Sequence, residues 1–192
     1  SEDETTYGLD DILSSIQKAK ENENIKGIYL QAGSMGIGFA SLEEIRKALA
    51  DFKTSGKFVV AYGDQYSQRL YYLASVADEV LLNPQGAIGW YGLASTPTFY
   101  KDLLSKIGVE MQVFKVGTYK SAVEPFISTE MSPANREQVT VFLDGIWGQM
   151  LSDISESRGV SKEKLNEAAD KMLMFYHAND CVEYGLADTM VY

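Results

Sequence analysis

Residues 57–84 read KFVVAYGDQYSQRLYYLASVADEVLLNP, and the fold class turns on them. KFVVAY (57–62) is a short run of β-branched and aromatic residues, the pattern of a strand. Residues 66–76 return to helical spacing, and EVLLN (79–83) is a second strand, expected to stop at Pro84 because proline donates no ladder hydrogen bond. Strand, helix, strand in close succession predicts parallel pairing through a crossover helix. Upstream, IKGIYL (25–30) has the pattern of a buried strand and runs into GSMGIG (33–38). Ser41 with Glu44 then reads as a capping box opening a helix whose apolar stripe is Leu42, Ile45, Leu49 and Phe52. Leu9, Ile12, Leu13 and Ile16 predict a further helix over 9–21.

Downstream, GAIGWYG (86–92) mixes glycine with aromatics and predicts tight turns with close backbone approach. A helix over 99–107 closes at Gly108, and MQVFKV (111–116) reads as a fourth strand. Ser132 as N-cap and Pro133 at the first helical position open the longest helix. Its apolar face is Val139, Phe142, Leu143, Ile146, Trp147, Met150, Leu151 and Ile154, and Gly159 ends it. Another capped helix starts at Ser161, and a short helix and strand surround GLAD (185–188). The alternation gives an α/β class with a largely parallel sheet covered by helices, in one domain over 1–192.

Composition narrows the chemistry. The 192 residues carry 17 Lys plus Arg against 27 Asp plus Glu, a formal net charge of −10. A field of that sign repels phosphate backbones and anionic lipid surfaces, so nucleic acid is not expected as a partner. With one cysteine, Cys181, and one histidine, His177, the chain builds no Cys/His zinc cage, and neither metal nor cofactor is expected. Any Ser-His-Asp or Cys-His enzyme would have to use His177. Apolar runs such as 80–82 and 172–176 fall far below the about 18 residues of a membrane span, so the chain is expected to be soluble. It begins at Ser1 without a basic-then-apolar leader and reads as a mature or excised piece.

Several residues invite chemistry and each has a plainer reading. Gly33, Gly36 and Gly38 follow a strand, but the spacing is not GxGxxG and no GK[ST] comes after, so the loop reads as a tight turn. His177 lies among aromatics just before Asn179, read as an N-cap, and no serine motif marks a partner. Cys181 has no basic neighbour to lower its pKa and reads as a small core residue. Ser67 sits at a helix start, where a nucleophile can face backbone N–H groups, yet Gln, Arg and Leu come next where an oxyanion turn needs small residues. A capping serine fits better. Lys120 projects from the end of the MQVFKV strand. It would act as a base only if burial lowered its pKa from about 10.4, and Glu124 is near enough to pair with it instead. Spacing alone makes it a surface lysine.

The run VFKVGTYKSAVEPF (113–126), together with Met131-Ser132-Pro133 and Arg136, closely resembles the lysine motif of the signal peptide peptidase A (protease IV) family. Residues 64–68 (DQYSQ) with 71–75 (YYLAS), 83–86 (NPQG) with Gly89, and the closing 184–188 (YGLAD) are similar too. The resemblance covers nearly the whole chain and implies a Clp-protease/crotonase-like β/α superhelical fold. It implies a Ser/Lys dyad in which the first of two related halves supplies the lysine, here Lys120, and the second supplies the nucleophilic serine from a Gly-rich motif. Aligning the Tyr-Tyr pairs puts Gln68 at the nucleophile's position, with Ser67 one residue early. The chain therefore resembles an N-terminal half, inactive alone and about half of the machinery.

The same resemblance implies signal peptides as substrates, lying extended in a groove past Val116 and Gly117. It further implies the C-terminal serine-bearing half as partner, a homo-oligomer (tetrameric in the long form), and a place on the outer, periplasmic face of a bacterial plasma membrane. Two other readings stay open: a non-catalytic scaffold or oligomerisation domain, and a crotonase-like acyl-CoA enzyme, for which this acidic chain advertises no CoA-phosphate site.

Overall fold

The computed structural model describes residues 7–33, 35–113, 121–171 and 177–192. Lys120, Val116 and Gly117 lie outside these residues. The chain forms two compact units, one of 1–92 with 149–192 and one of 93–148.

The first unit holds a four-stranded sheet, all parallel, in the order β1-β2-β3-β4. Its strands are β1 (Gly27–Gln31), β2 (Phe58–Tyr66), β3 (Glu79–Ile88) and β4 (Thr189–Met190), and its helices include α1 (Leu9–Glu21), α2 (Phe39–Lys53) and α3 (Gln68–Ala74). This is the α/β, parallel, helix-flanked architecture expected. The α2 stripe is buried as its spacing predicts: Leu42, Ile45, Leu49 and Phe52 are all in the core. Val59 and Ala61 of β2 and Val80, Leu82 and Ile88 of β3 are buried too, following the alternation of a strand.

Elements α2, β1 and β3 differ from the sequence reading. α2 begins three residues early, with Gly38 as N-cap, so Ser41 lies inside the helix and caps nothing. β1 is an edge strand with no buried residue, Tyr29 being 60% exposed, where a buried strand was expected. β3 runs through Pro84 instead of stopping there. Gly63 pairs with Leu82 but Gln65 pairs with Ala87, so the intervening residues of β3 form a bulge in which the missing proline N–H costs no ladder bond. Asn83 Oδ1 accepts from Gln85 N at 2.9 Å to hold that bulge.

Gly86 closes the bulge by close approach. A Cβ there would collide with the Asp64 carbonyl oxygen and stand 2.9 Å from that of Asn83. Both are backbone atoms that cannot swing away. Gly86→Ala is expected to cost about 1–3 kcal/mol as an overpacked site, read as a lower urea midpoint at unchanged m-value.

An aspartate starts each of the last two strand segments, and the two do the same work. Asp78 Oδ2 accepts from Val59 N at 2.8 Å while Asp78 N donates to Val59 O at 2.8 Å. Asp188 repeats this with Val80, at 2.7 and 2.9 Å. Each carboxylate also pairs with a cation, Asp78 with Lys53 at 2.9 Å and Asp188 with Arg158 at 2.7 Å. Burial opposes ionisation of both, but the cations and the strand N–H groups outweigh it and hold both carboxyls below the ordinary range. A depressed carboxyl contributes stability that is complete above the unfolded-state value of about 3.9 and is lost as pH falls through the folded value. Asp188→Ala is accordingly expected to cost about 1–3 kcal/mol near neutral pH. Urea midpoints below pH 4 should show the variant and parent converging.

The remaining helices of the first unit are α7 (Lys162–Asp170), capped by Ser161 whose Oγ accepts from Lys164 N at 3.2 Å, and α8 (Ala178–Glu183). The second unit carries α4 (Lys101–Lys106), a 3-10 turn (Ser121–Val123) and α5 (Glu124–Ile127). Gly108, at φ +74°, closes α4 as expected. Residues 111–113 form no strand, and the rest of the expected fourth strand lies outside the described residues. Helix α6 (Pro133–Arg158) begins in the second unit and ends in the first. Ser132 Oγ accepts from Asn135 N at 3.2 Å as its cap, and Gly159, at φ +65°, ends it. Only the latter part of its expected apolar face is buried. Met150, Leu151 and Ile154 join the core, whereas Phe142 is 65% exposed.

Candidate active site

The carboxyl ends of β2 and β3, the start of α3 and the segment 89–92 come together in the first unit. Tyr66, the last residue of β2, accepts from Gly89 N at 2.7 Å through its carbonyl, which brings the two chain segments side by side. Its phenol donates to Leu81 O at 3.0 Å, and burial raises its pKa. Next comes Ser67, extended at φ −64°, ψ 159°, as the N-cap of α3, with Oγ accepting from Leu70 N at 3.3 Å. Ser67 is a capping serine, as its neighbours predict.

Gln68 is 4% exposed and its amide is bonded at both ends. Oε1 accepts from Tyr91 N at 2.9 Å and Gly92 N at 3.0 Å, and Nε2 donates to Gly92 O at 2.9 Å. Beside it, Arg69 donates to Ile37 O at 3.2 Å and lies 5.1 Å over the Phe39 ring, tying α3 to the segment before α2. Trp90 anchors the 89–92 segment from below: it is fully buried, meets Tyr71 edge-on at 5.8 Å, and donates Nε1–H to Leu165 O at 2.8 Å.

The glycine loop differs from the tight turn expected. Its described residues, 32–33 and 35–38, are open coil, and a Cβ at Gly33, Gly36 or Gly38 would meet nothing within 4 Å. His177 is exposed and is itself the N-cap of α8, with Asn179 inside the helix; the capping partner is Asp180, which accepts from His177 N at 3.1 Å. Cys181 is fully buried, and burial raises its thiol pKa against the opposing Ile88 backbone bond, as befits a core residue. Neither belongs to a catalytic group among the described residues. The described residues also contain no cluster of three His, Cys, Asp or Glu placed to hold a metal, and no helix long and apolar enough to cross a membrane.

The lysine segment 114–120, with the expected base Lys120 and the groove residues Val116 and Gly117, lies outside the described residues. The turn on its C-terminal side is built around Glu124, which is 3% exposed. The Glu124 carboxylate accepts from Ser132 N at 3.2 Å, Ser132 Oγ at 2.5 Å and Asn135 Nδ2 at 2.9 Å. The carboxylate considered as an ion-pair partner for Lys120 thus locks the turn onto the start of α6.

Two features escaped the sequence reading. Arg46 is buried and donates to Tyr72 O, Ser75 Oγ, Asp153 O and Ser157 Oγ at 2.8–3.0 Å, joining α2, α3 and α6. Positions 42, 45, 46 and 49 follow the i, i+3, i+4, i+7 rule, so Arg46 stands on the buried stripe although its charge argues against a core position. The Gln68 bonds to 91–92 had no local signal, because they join residues more than twenty apart.

Residues 51–192 match peptidase family S49. Protease 4 of Salmonella typhi is 41% identical over 186 residues, 95% of this chain and 30% of that protein. Protease 4 of Haemophilus influenzae is 38% identical over 164 residues, 85% of this chain and 27% of that protein. The serine protease SPPA, chloroplastic, of Arabidopsis thaliana is 30% identical over 184 residues, 96% of this chain and 27% of that protein. The chain thus spans under a third of the length of these relatives. Its parallel α/β architecture agrees with the Clp-protease/crotonase-like fold of that family, and with these matches the conclusion is that the chain belongs to peptidase family S49.

Proposed function

We propose that these 192 residues are one domain of a two-repeat serine endopeptidase of the signal peptide peptidase A type, the N-terminal, lysine-bearing half, with Lys120 as general base. A serine hydroxyl is a weak nucleophile until a base within hydrogen-bond reach takes its proton. In this reading neutral Lys120 takes the proton of a serine on the C-terminal half as its oxygen attacks the peptide carbonyl carbon. The lysine then returns that proton to the leaving amine, and water releases the acyl group. The substrates are cleaved signal peptides, extended along Val116 and Gly117 by strand addition. The assembly is a homo-oligomer at the outer face of a bacterial plasma membrane and uses no cofactor, metal or nucleic acid.

The observation that carries the reading is at the start of α3. Gln68, at the nucleophile's aligned position, has its amide bonded on both sides to residues 91–92, and Ser67 accepts the cap bond of the helix. These bonds support a reading in which the serine comes from elsewhere. Purified residues 1–192 are expected to hydrolyse no signal peptide, and addition of the serine-bearing half to restore turnover. Robust turnover by residues 1–192 alone, abolished by Ser67→Ala, would sink the divided dyad.

A further inference from the structure

We propose that Gln68 is an internal plug: its side-chain amide occupies a binding position for a peptide group, formed by the backbone of Tyr91 and Gly92. A peptide unit offers a carbonyl acceptor and one N–H donor, and a primary amide presents the same acceptor with two N–H donors. The Gln68 amide uses its oxygen and one N–H on residue 92, accepting from Gly92 N at 3.0 Å and donating to Gly92 O at 2.9 Å. That is the exchange a residue of an added strand makes with its opposite number. Its oxygen takes a second N–H, from Tyr91 at 2.9 Å. Consecutive backbone N–H groups converging on one oxygen form a nest, a geometry that binds carbonyl and carboxylate oxygens. Gly92, at φ +82°, has the left-handed conformation that such a turn of the backbone uses.

The placement supports a binding position over a packing detail. Residues 68 and 91–92 stand at the carboxyl end of the β2–β3 pair, the end where parallel α/β sheets take ligands. Gln68 is buried at 4% exposure, but Tyr91 next to its partner atoms is 45% exposed, so the site lies one residue from solvent. The ligand class is an amide of an extended peptide, and the chain carries its own copy of that group. This inference rests on the bonds among residues 68, 91 and 92 and stands whether or not Lys120 is the base.

Gln68→Ala removes Cγ, Cδ, Oε1 and Nε2, and acetamide carries the same four heavy atoms. The variant is expected to lower Tm by about 5 °C, and acetamide to recover part of that loss in a saturable way. The parent and Gln68→Met, which keeps the volume without the amide, should show no such recovery. Equal acetamide effects on all three proteins would overturn the plug. If Gln68→Ala does not fold, hydrogen exchange in the parent protein decides. Slow exchange of both the Tyr91 and Gly92 amides, which have no ladder partner, supports it, and exchange at unfolded-chain rates overturns it.

Discussion

Replacing Lys120 by alanine in the proposed two-repeat enzyme is expected to lower kcat by about 10²–10⁴-fold, the contribution of a positioned general base, with KM little changed. KM should hold because a base acts on the serine proton in the transition state, not on the bound ground state. Lys120→Arg is the sharper variant. Arginine keeps the length and charge but stays protonated at any accessible pH, so it cannot accept the serine proton and should be as inactive as alanine. Activity retained by both variants would leave Lys120 structural and favour the scaffold reading. A pH–rate profile separates the cases further: the parent's activity should rise with pH as the lysine loses its proton, and that limb should vanish in any residual activity of the variants.

Trp90→Ala should have the largest effect on stability. The indole is fully buried, packs edge-on against Tyr71, and donates to Leu165 O at 2.8 Å. Large-to-small substitution at such a site costs about 3–5 kcal/mol, a large part of the marginal stability of a domain. Trp90→Phe keeps a ring against Tyr71 and loses the N–H, so it should cost less; the difference between the two urea midpoints isolates the packing. Because Trp90 immediately precedes Tyr91, both variants should also speed hydrogen exchange at residues 91 and 92. A stability loss below about 1 kcal/mol for Trp90→Ala would mean that the core here relaxes around the deletion.

Helices with an apolar stripe and a capping signal were legible from local pattern. The stripe of α2, the Ser132 and Ser161 caps and the Gly108 and Gly159 stops depend on residues within a turn or two of one another. Pro84 misled because a proline ends a strand only where its N–H would enter a ladder, and the bulge that removes that demand is a property of the β2–β3 pairing. Phe142 misled in the other direction. Helical spacing says which residues share a face but not whether anything covers it.

The candidate site divides along the same line. By its own residues the chain determined the α/β class, the lysine motif that ties it to its family and the capping role of Ser67, since each is written in contiguous sequence. Only the tertiary structure decided that Gln68 is bonded to residues 91–92, that Glu124 holds Ser132 and Asn135, and that Arg46 is a buried clamp. The first two join chain segments by hydrogen bonds whose partners no local periodicity specifies. In the third, a charge became tolerable in the core once four acceptors from other helices surrounded it.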